Sequence, residues 1–218
     1  MTKPRVKETD SGIQGEFNVN IYNEMQRRLR DRGWIETKDI LKSGITSGLA
    51  LEVGPGPGYL GLEWLKHTEK TNLKGLEISP DMIAMAERNA QEYGFSDRVE
   101  YVHSSGDMMP FDEETFDAVF TNGSLHEWSE PGDTFNEIWR VLKKGGRVFI
   151  SDMKRDMPFF IKWFLLIFSK PKEIRPGLIT SINASYTPDG LKWLVKPTKL
   201  SNCSVSSNLI GLKITGMK

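Results

Sequence analysis

Cysteine is nearly missing: Cys203 is the only one in 218 residues. This excludes an internal disulfide framework and any multi-cysteine metal site. A reducing cytoplasmic setting is the simplest expectation, with Cys203 packed as a small hydrophobe. Net charge is missing as well, because 29 lysines and arginines balance 29 aspartates and glutamates. No bulk field pulls the molecule onto nucleic acid, and the arginines at 27, 28, 30 and 32 read as a solvated helix face. Long hydrophobic runs do not occur. The longest, 157–168, is interrupted by Lys162 and falls well short of the ~20 residues that span a bilayer. Residues 1–10 are charged and lack the apolar stretch of a secretory signal, so export is not expected. There is no His-Glu-x-x-His run and no dense aspartate cluster, so no metal is expected. Repeats and low-complexity tracts are also absent. With 38% apolar residues, the chain suffices for one substantial core.

What is present is an alternation. Residues 49–53 form an apolar run closed by Gly54-Pro55-Gly56-Pro57-Gly58, and an amphipathic stretch follows at 59–67. This predicts strand, tight loop, helix. The pattern repeats with a strand at 73–78 and a helix from Ser79, its cap, to a stop at Gly94. Further strands are expected at 99–103, 116–121 and 147–152, with a helix at 133–142. Such alternation builds a parallel sheet with helices on both faces. Beyond 152 it loosens into helices at 157–169 and 188–195. Two strands then close the chain around Asn208, too near each other for a helical crossover and therefore antiparallel. Ahead of the core, 19–32 reads as a helix with Ile21, Tyr22, Met25 and Leu29 inward, able to cover a ligand site from above. The fold class is thus α/β, a Rossmann-like doubly wound and mostly parallel seven-stranded sheet with an antiparallel C-terminal hairpin. The expected division is a helical cap at 1–35, a core at 36–152, a helical lid or specificity insertion at 153–198, and the hairpin at 199–218.

The glycine-rich loop lies at the carboxyl edge of the first strand, where open α/β sheets bind ligands. Glycine lets backbone approach a ligand with no Cβ in the way. Gly56, Gly58 and Gly61 satisfy the spacing of the NAD fingerprint, so an NAD-dependent oxidoreductase stands as an alternative. Against it, a pyrophosphate needs free backbone N–H groups, and Pro55 and Pro57 remove two. Glu77 ends the second strand 19 residues after Gly58, placed to accept hydrogen bonds from ribose hydroxyls. Asp107 follows the third strand, where a carboxylate can accept from an adenine amino group, with Ile78 and Met108 as apolar plates.

These segments, with Leu51 to Gly58, Gly75 to Met82, Gly106-Asp107 leading to Pro110-Phe111 and Phe116 to Val119, and Glu137 to Gly146 taken in order, resemble class I S-adenosylmethionine-dependent methyltransferases. The likeness is greatest to the branch that includes quinone-biosynthesis enzymes and covers 49–152. It implies S-adenosyl-L-methionine as cofactor. Gly54, Gly56 and Gly58 would line its methionine part, Glu77 the ribose, Ile78 and Met108 the adenine faces, and Asp107 the adenine amino group. Glu52 and Met82 complete the expected cofactor set, and Asn122 would border the methyl-transfer site.

Methyl transfer from a sulfonium requires alignment and desolvation, sometimes with a base. In Asn122-Gly123-Ser124-Leu125-His126-Glu127-Trp128, His126 is the candidate base or acceptor-positioning group, with Glu127 and Asn122 beside it. The insertion is rich in Phe159, Phe160, Trp163, Phe164, Leu165, Ile167 and Phe168, flanked by cations. It reads as a lid, a dimer interface, a wall for a hydrophobic acceptor, or a helix at an anionic membrane surface. The expected partner is a small or medium-sized, hydrophobic-leaning acceptor, with nucleic acid disfavoured and either a monomer or a homodimer compatible. A protein or RNA methyltransferase and a non-catalytic cofactor-binding regulator are the remaining alternatives. Thr121-Asn122-Gly123-Ser124 is not the Asn/Asp-Pro-Pro-Tyr run of amino-group methylation.

Overall fold

The computed structural model describes residues 4–7 and 12–218. Residues 1–3 and 8–11, which belong to the expected cap and to the charged stretch at 1–10, lie outside the described residues. One seven-stranded sheet organises the molecule. Its strands are β1 (Leu49–Val53), β2 (Asn72–Glu77), β3 (Val99–His103), β4 (Phe116–Asn122), β5 (Leu142–Met153), β6 (Ser204–Ser207) and β7 (Gly211–Met217). They lie in the order β3-β2-β1-β4-β5-β7-β6. The first five are parallel, and β7 runs antiparallel to both β5 and β6. The mostly parallel sheet with a closing antiparallel hairpin is the architecture the sequence predicts.

Eight α-helices accompany the sheet among the described residues: α1 (Glu16–Asp31), α2 (Thr37–Lys42), α3 (Tyr59–Lys66), α4 (Pro80–Tyr93), α5 (Pro131–Val141), α6 (Phe159–Phe168), α7 (Arg175–Ala184) and α8 (Pro188–Val195). The local signals act as read. The Ser79 hydroxyl accepts the Met82 N–H at the start of α4, and Gly94 closes that helix at φ 71°. Two helices have no counterpart in the sequence reading, α2 and α7. Strand β5 begins at Leu142, five residues earlier than expected, where the pairing with β4 shifts register between Phe116 and Ala118.

Alternate residues of the central strands separate into two cores, as the period of a strand requires. Leu51, Val53, Val148 and Ile150 pack with Phe135, Ile138, Leu191 and Val195 of α5 and α8. Ala50, Phe120 and Phe149 face the other way, against Ile40 of α2 and Leu62, Trp64 and Leu65 of α3. Trp64 is fully buried, and its indole N–H donates to the Ile45 carbonyl at 2.9 Å. Burying such side chains contributes about 1.5–3 kcal/mol each. This holds the sheet rigid beneath its carboxyl edge. Glu52 lies in phase with Ala50, so its carboxyl points into the α3 core rather than toward that edge.

Candidate functional site

The β1–α3 loop is shaped by its glycines. Gly54 sits at φ 68°, and a Cβ there would lie 2.6 Å from the Ser124 Cβ. Gly56, at φ 53°, donates its N–H to Glu77 Oε2 at 3.0 Å, and a Cβ on it would meet the Tyr22 ring at 3.3 Å. A side chain at either position is strained by its backbone and crowded by its neighbour. Glu77 takes two further backbone donors, the N–H groups of Ile78 and Ser79, both at 3.0 Å to Oε1. Its carboxyl is fixed at the end of β2, only 7% exposed. Burial pushes its pKa above the ordinary glutamate value, against the three N–H donors, which act to lower it.

Above this edge lies a cavity of about 430 Å³, a size usual for small-molecule sites. Its floor is Val53, Gly54, Gly56 and Leu76. Glu77, Ile78, Met82, Asp107 and Met108 bound one side, and Gly123, Ser124, Glu127 and Trp128 the other. The cover comes from Gly12, Ile13 and Tyr22. That cover is tied down where α4 begins: the Ser79 hydroxyl donates to the Ile13 carbonyl at 2.6 Å, and the Gly15 N–H to Asp81 Oδ2 at 2.8 Å. The Tyr22 hydroxyl accepts from Gln26 Nε2 at 2.9 Å. Burial, with the Glu127 and Glu77 carboxylates nearby, raises its pKa. Among the described residues, three carboxylates, Glu77, Asp107 and Glu127, reach the cavity, and no lysine, arginine or histidine lines it. A wider, shallow depression lies at the amino edge of the strands, around Thr68, Lys70 and Arg98. It has neither the glycine loop nor the closing cover, and carries no chemistry.

Of the residues singled out by sequence, Gly54, Gly56, Glu77, Ile78, Met82, Asp107, Met108 and Glu127 meet around this cavity. The others stand apart from its lining. Gly58 caps the start of α3, where a Cβ would meet the Tyr101 hydroxyl. Glu52 is buried under α3, in room left by the missing side chain of Gly61. Its Oε2 has no partner, and burial lifts its pKa to about 8. Asn122 is exposed and donates from Nδ2 to the Ser151 hydroxyl at 3.0 Å. His126 is buried in the 3-10 turn Leu125–Glu127, behind Glu127. Its Nδ1 lies 2.9 and 3.0 Å from the Asp152 carboxylate oxygens, and its Nε2 lies 3.8 Å from Glu127 Oε1. Sequence reasoning missed Gly12, Ile13, Asp152 and the serines at 104 and 105. The helix that carries Tyr22 is expected to cover a ligand site, and Tyr22 is the residue of it that lines the cavity.

Residues 51–150 match the family model of a methyltransferase domain. Over that stretch the chain is similar to a methyltransferase domain. Among curated relatives of this stretch, an erythromycin 3''-O-methyltransferase of Saccharopolyspora erythraea is 30% identical over 51% of this chain and 37% of its own length. A demethylmenaquinone methyltransferase of Roseiflexus castenholzii is 29% identical over 57% of this chain and 51% of its own. The chain spans about half the length of the curated relatives it matches, or less. Among solved structures, an S-adenosylmethionine-dependent methyltransferase from Aquifex aeolicus shares the fold at a TM-score of 0.64 and 21% identity, covering 84% of this chain and 89% of that one. A [4+2]-cyclase, SpnF, covers 99% of both chains at a TM-score of 0.67 and 18% identity. The fold by itself therefore does not fix the reaction.

Proposed function

We propose that this chain transfers a methyl group from S-adenosylmethionine to a small or medium-sized acceptor in the cavity above β1, β2 and β4. The observation that carries this reading is the charge of the walls: among the described residues, three carboxylates and no cationic side chain. A pyrophosphate cofactor would be repelled there, whereas a sulfonium beside an ammonium is attracted. This separates the proposal from the NAD-dependent alternative more sharply than the glycine spacing can.

The bound cofactor would supply an electrophilic methyl group. The protein's part is to hold, orient and dry it. Glu77, already oriented by three N–H donors, accepts from the ribose hydroxyls. Ile78 and Met108 would flank the adenine, Asp107 would accept from its amino group, and the backbone of Gly54 and Gly56 would hold the methionine portion. Ile13 and Tyr22 exclude water from above. Glu127 faces the acceptor and receives or orients its proton, and His126 positions Glu127 from behind. The activities for which the two relatives are named, on erythromycin and on demethylmenaquinone, support a small-molecule acceptor.

Calorimetric titration with S-adenosylhomocysteine and with NAD tests the cofactor assignment. Micromolar binding of the first and none of the second is expected, and the reverse would refute it. Incubation of metabolite extracts with labelled S-adenosylmethionine then identifies the acceptor by the label it gains.

A further inference from the structure

Helix α6 contradicts the rule that an apolar helix is a buried helix. Its sequence is Phe-Phe-Ile-Lys-Trp-Phe-Leu-Leu-Ile-Phe, yet none of its residues is buried. Phe159 is 83% exposed, Trp163 64%, and Phe160 and Phe168 54% each. An apolar surface of this size on one short helix requires something to cover it. At about 1.5 Å per residue the ten residues extend roughly 15 Å, half the thickness of a bilayer's hydrocarbon core. No helix of the described residues is long and apolar enough to cross a membrane.

The charges around it identify the covering partner. Lys154, Arg155 and Lys162 lie before and within α6, and Lys170, Lys172 and Arg175 follow it, against only Asp156 and Glu173. The chain as a whole is neutral, so positive charge is concentrated here. None of these six cations stands in an ion pair with a carboxylate of the described chain; Arg155, Lys162 and Arg175 donate to the carbonyls of Ser185, Arg155 and Ile167, which leave their charge uncompensated. Exposed aromatic rings bordered by unpaired lysines and arginines are complementary to a surface that is apolar within and anionic at its rim. A second copy of the chain would bring the same unpaired cations against each other.

We propose that α6 and its flanking cations seat this protein on an anionic lipid bilayer, with the aromatic side chains in the interface and the lysines at the headgroups. The segment is joined to the site: α6 leads into α7, which packs on the Leu125–Glu127 turn beside the cavity. The bilayer contact therefore places the acceptor side of the cavity near the lipid surface, from which an amphiphilic acceptor would be drawn. The contact does not depend on the cofactor assignment and is measured without turnover.

The test is sedimentation of the full chain with vesicles of equal parts phosphatidylcholine and phosphatidylglycerol, and with phosphatidylcholine alone. Binding to the mixed vesicles, weakening as salt rises, is expected. Phe160→Ser with Trp163→Ser should abolish it, and Lys170→Glu with Lys172→Glu should lower the partition coefficient about tenfold or more. All four positions are solvent-facing or half-exposed, so unchanged thermal unfolding verifies that the variants fold. Equal binding to neutral vesicles overturns the proposal. So does a dimer, seen by sedimentation velocity, that the aromatic substitutions dissociate while vesicles bind nothing.

Discussion

Asp152, near the end of β5, holds His126 at two points: its carboxylate accepts the His126 backbone N–H at 2.8 Å and faces the ring Nδ1 at 2.9 Å. A strand of the rigid sheet thereby fixes the 3-10 turn that carries Glu127 into the cavity. In the proposed reaction Asp152 would be a positioning residue, acting through His126.

Replacing Asp152 with alanine releases both contacts. The expected outcome is a fall in kcat of about 10- to 100-fold with cofactor affinity retained, and a stability loss of about 1–3 kcal/mol. Asp152→Asn keeps one acceptor and should recover part of the rate. A double-mutant cycle with His126→Ala distinguishes positioning from bulk stability: the two losses should be strongly non-additive in kcat. Additive losses, or an equal loss of cofactor binding, would show that the turn serves only the fold.

Glu77→Gln keeps the size of the side chain and removes its charge. Whichever way the glutamine amide turns, its N–H₂ faces a backbone donor, Gly56 at the Oε2 position or Ile78 and Ser79 at the Oε1 position, so cofactor affinity should fall about 100-fold. In the unaltered protein, burial raises the Glu77 pKa, so affinity for the cationic cofactor should weaken on acidification at a higher pH than an ordinary glutamate would dictate. Calorimetry across pH reads both effects. A Glu77→Gln variant that binds as well as the parent would remove the carboxylate from the site.

Glu52 makes a prediction about stability. Its pKa in the fold, about 8, lies above the ordinary glutamate value, so the folded state retains a proton that the unfolded chain has released. Stability from this group is complete below the ordinary carboxyl range and declines as pH rises toward 8, by on the order of 1 kcal/mol per pH unit. Glu52→Gln mimics the neutral acid. It should therefore unfold at nearly the same denaturant concentration at pH 5 but at a higher one at pH 8. A difference between the two proteins that stays constant from pH 5 to 8 would contradict the assignment.

Much of this molecule was legible beforehand because its core repeats a simple physical pattern. Strand β1, the glycine loop and the Ser79 to Gly94 helix each carry local punctuation, and local signals are what a sequence displays. Helix α2 escaped because six residues give no periodicity to detect, and α7 because Pro176 and Gly177 disguise its first turn. Glu52 illustrates a different limit. It adjoins the glycine loop in sequence, but strand alternation turns it to the opposite side of the sheet, into a space that Gly61 leaves open. The pairing of Asp152 with His126, 26 residues apart, follows from the adjacency of β4 and β5, and no spacing rule announces it. Ile13 and Tyr22 reach the cavity only because residues 12–22 fold back over the sheet.

That covering stretch has a thermodynamic consequence. Residues 12–22 hold to the rest of the molecule through a few bonds at Ser79 and Asp81 and through the packing of Ile13, Val19 and Tyr22 with Met82 and Met85, immediately beside the ligand space they close. Occupancy below and attachment above are then reciprocal: whatever free energy a guest gains from the closed arrangement, the closed arrangement gains from the guest. Anything that pulled this stretch loose would loosen the guest to the same degree, so the condition of Ile13 and Tyr22 reports how full the chamber is.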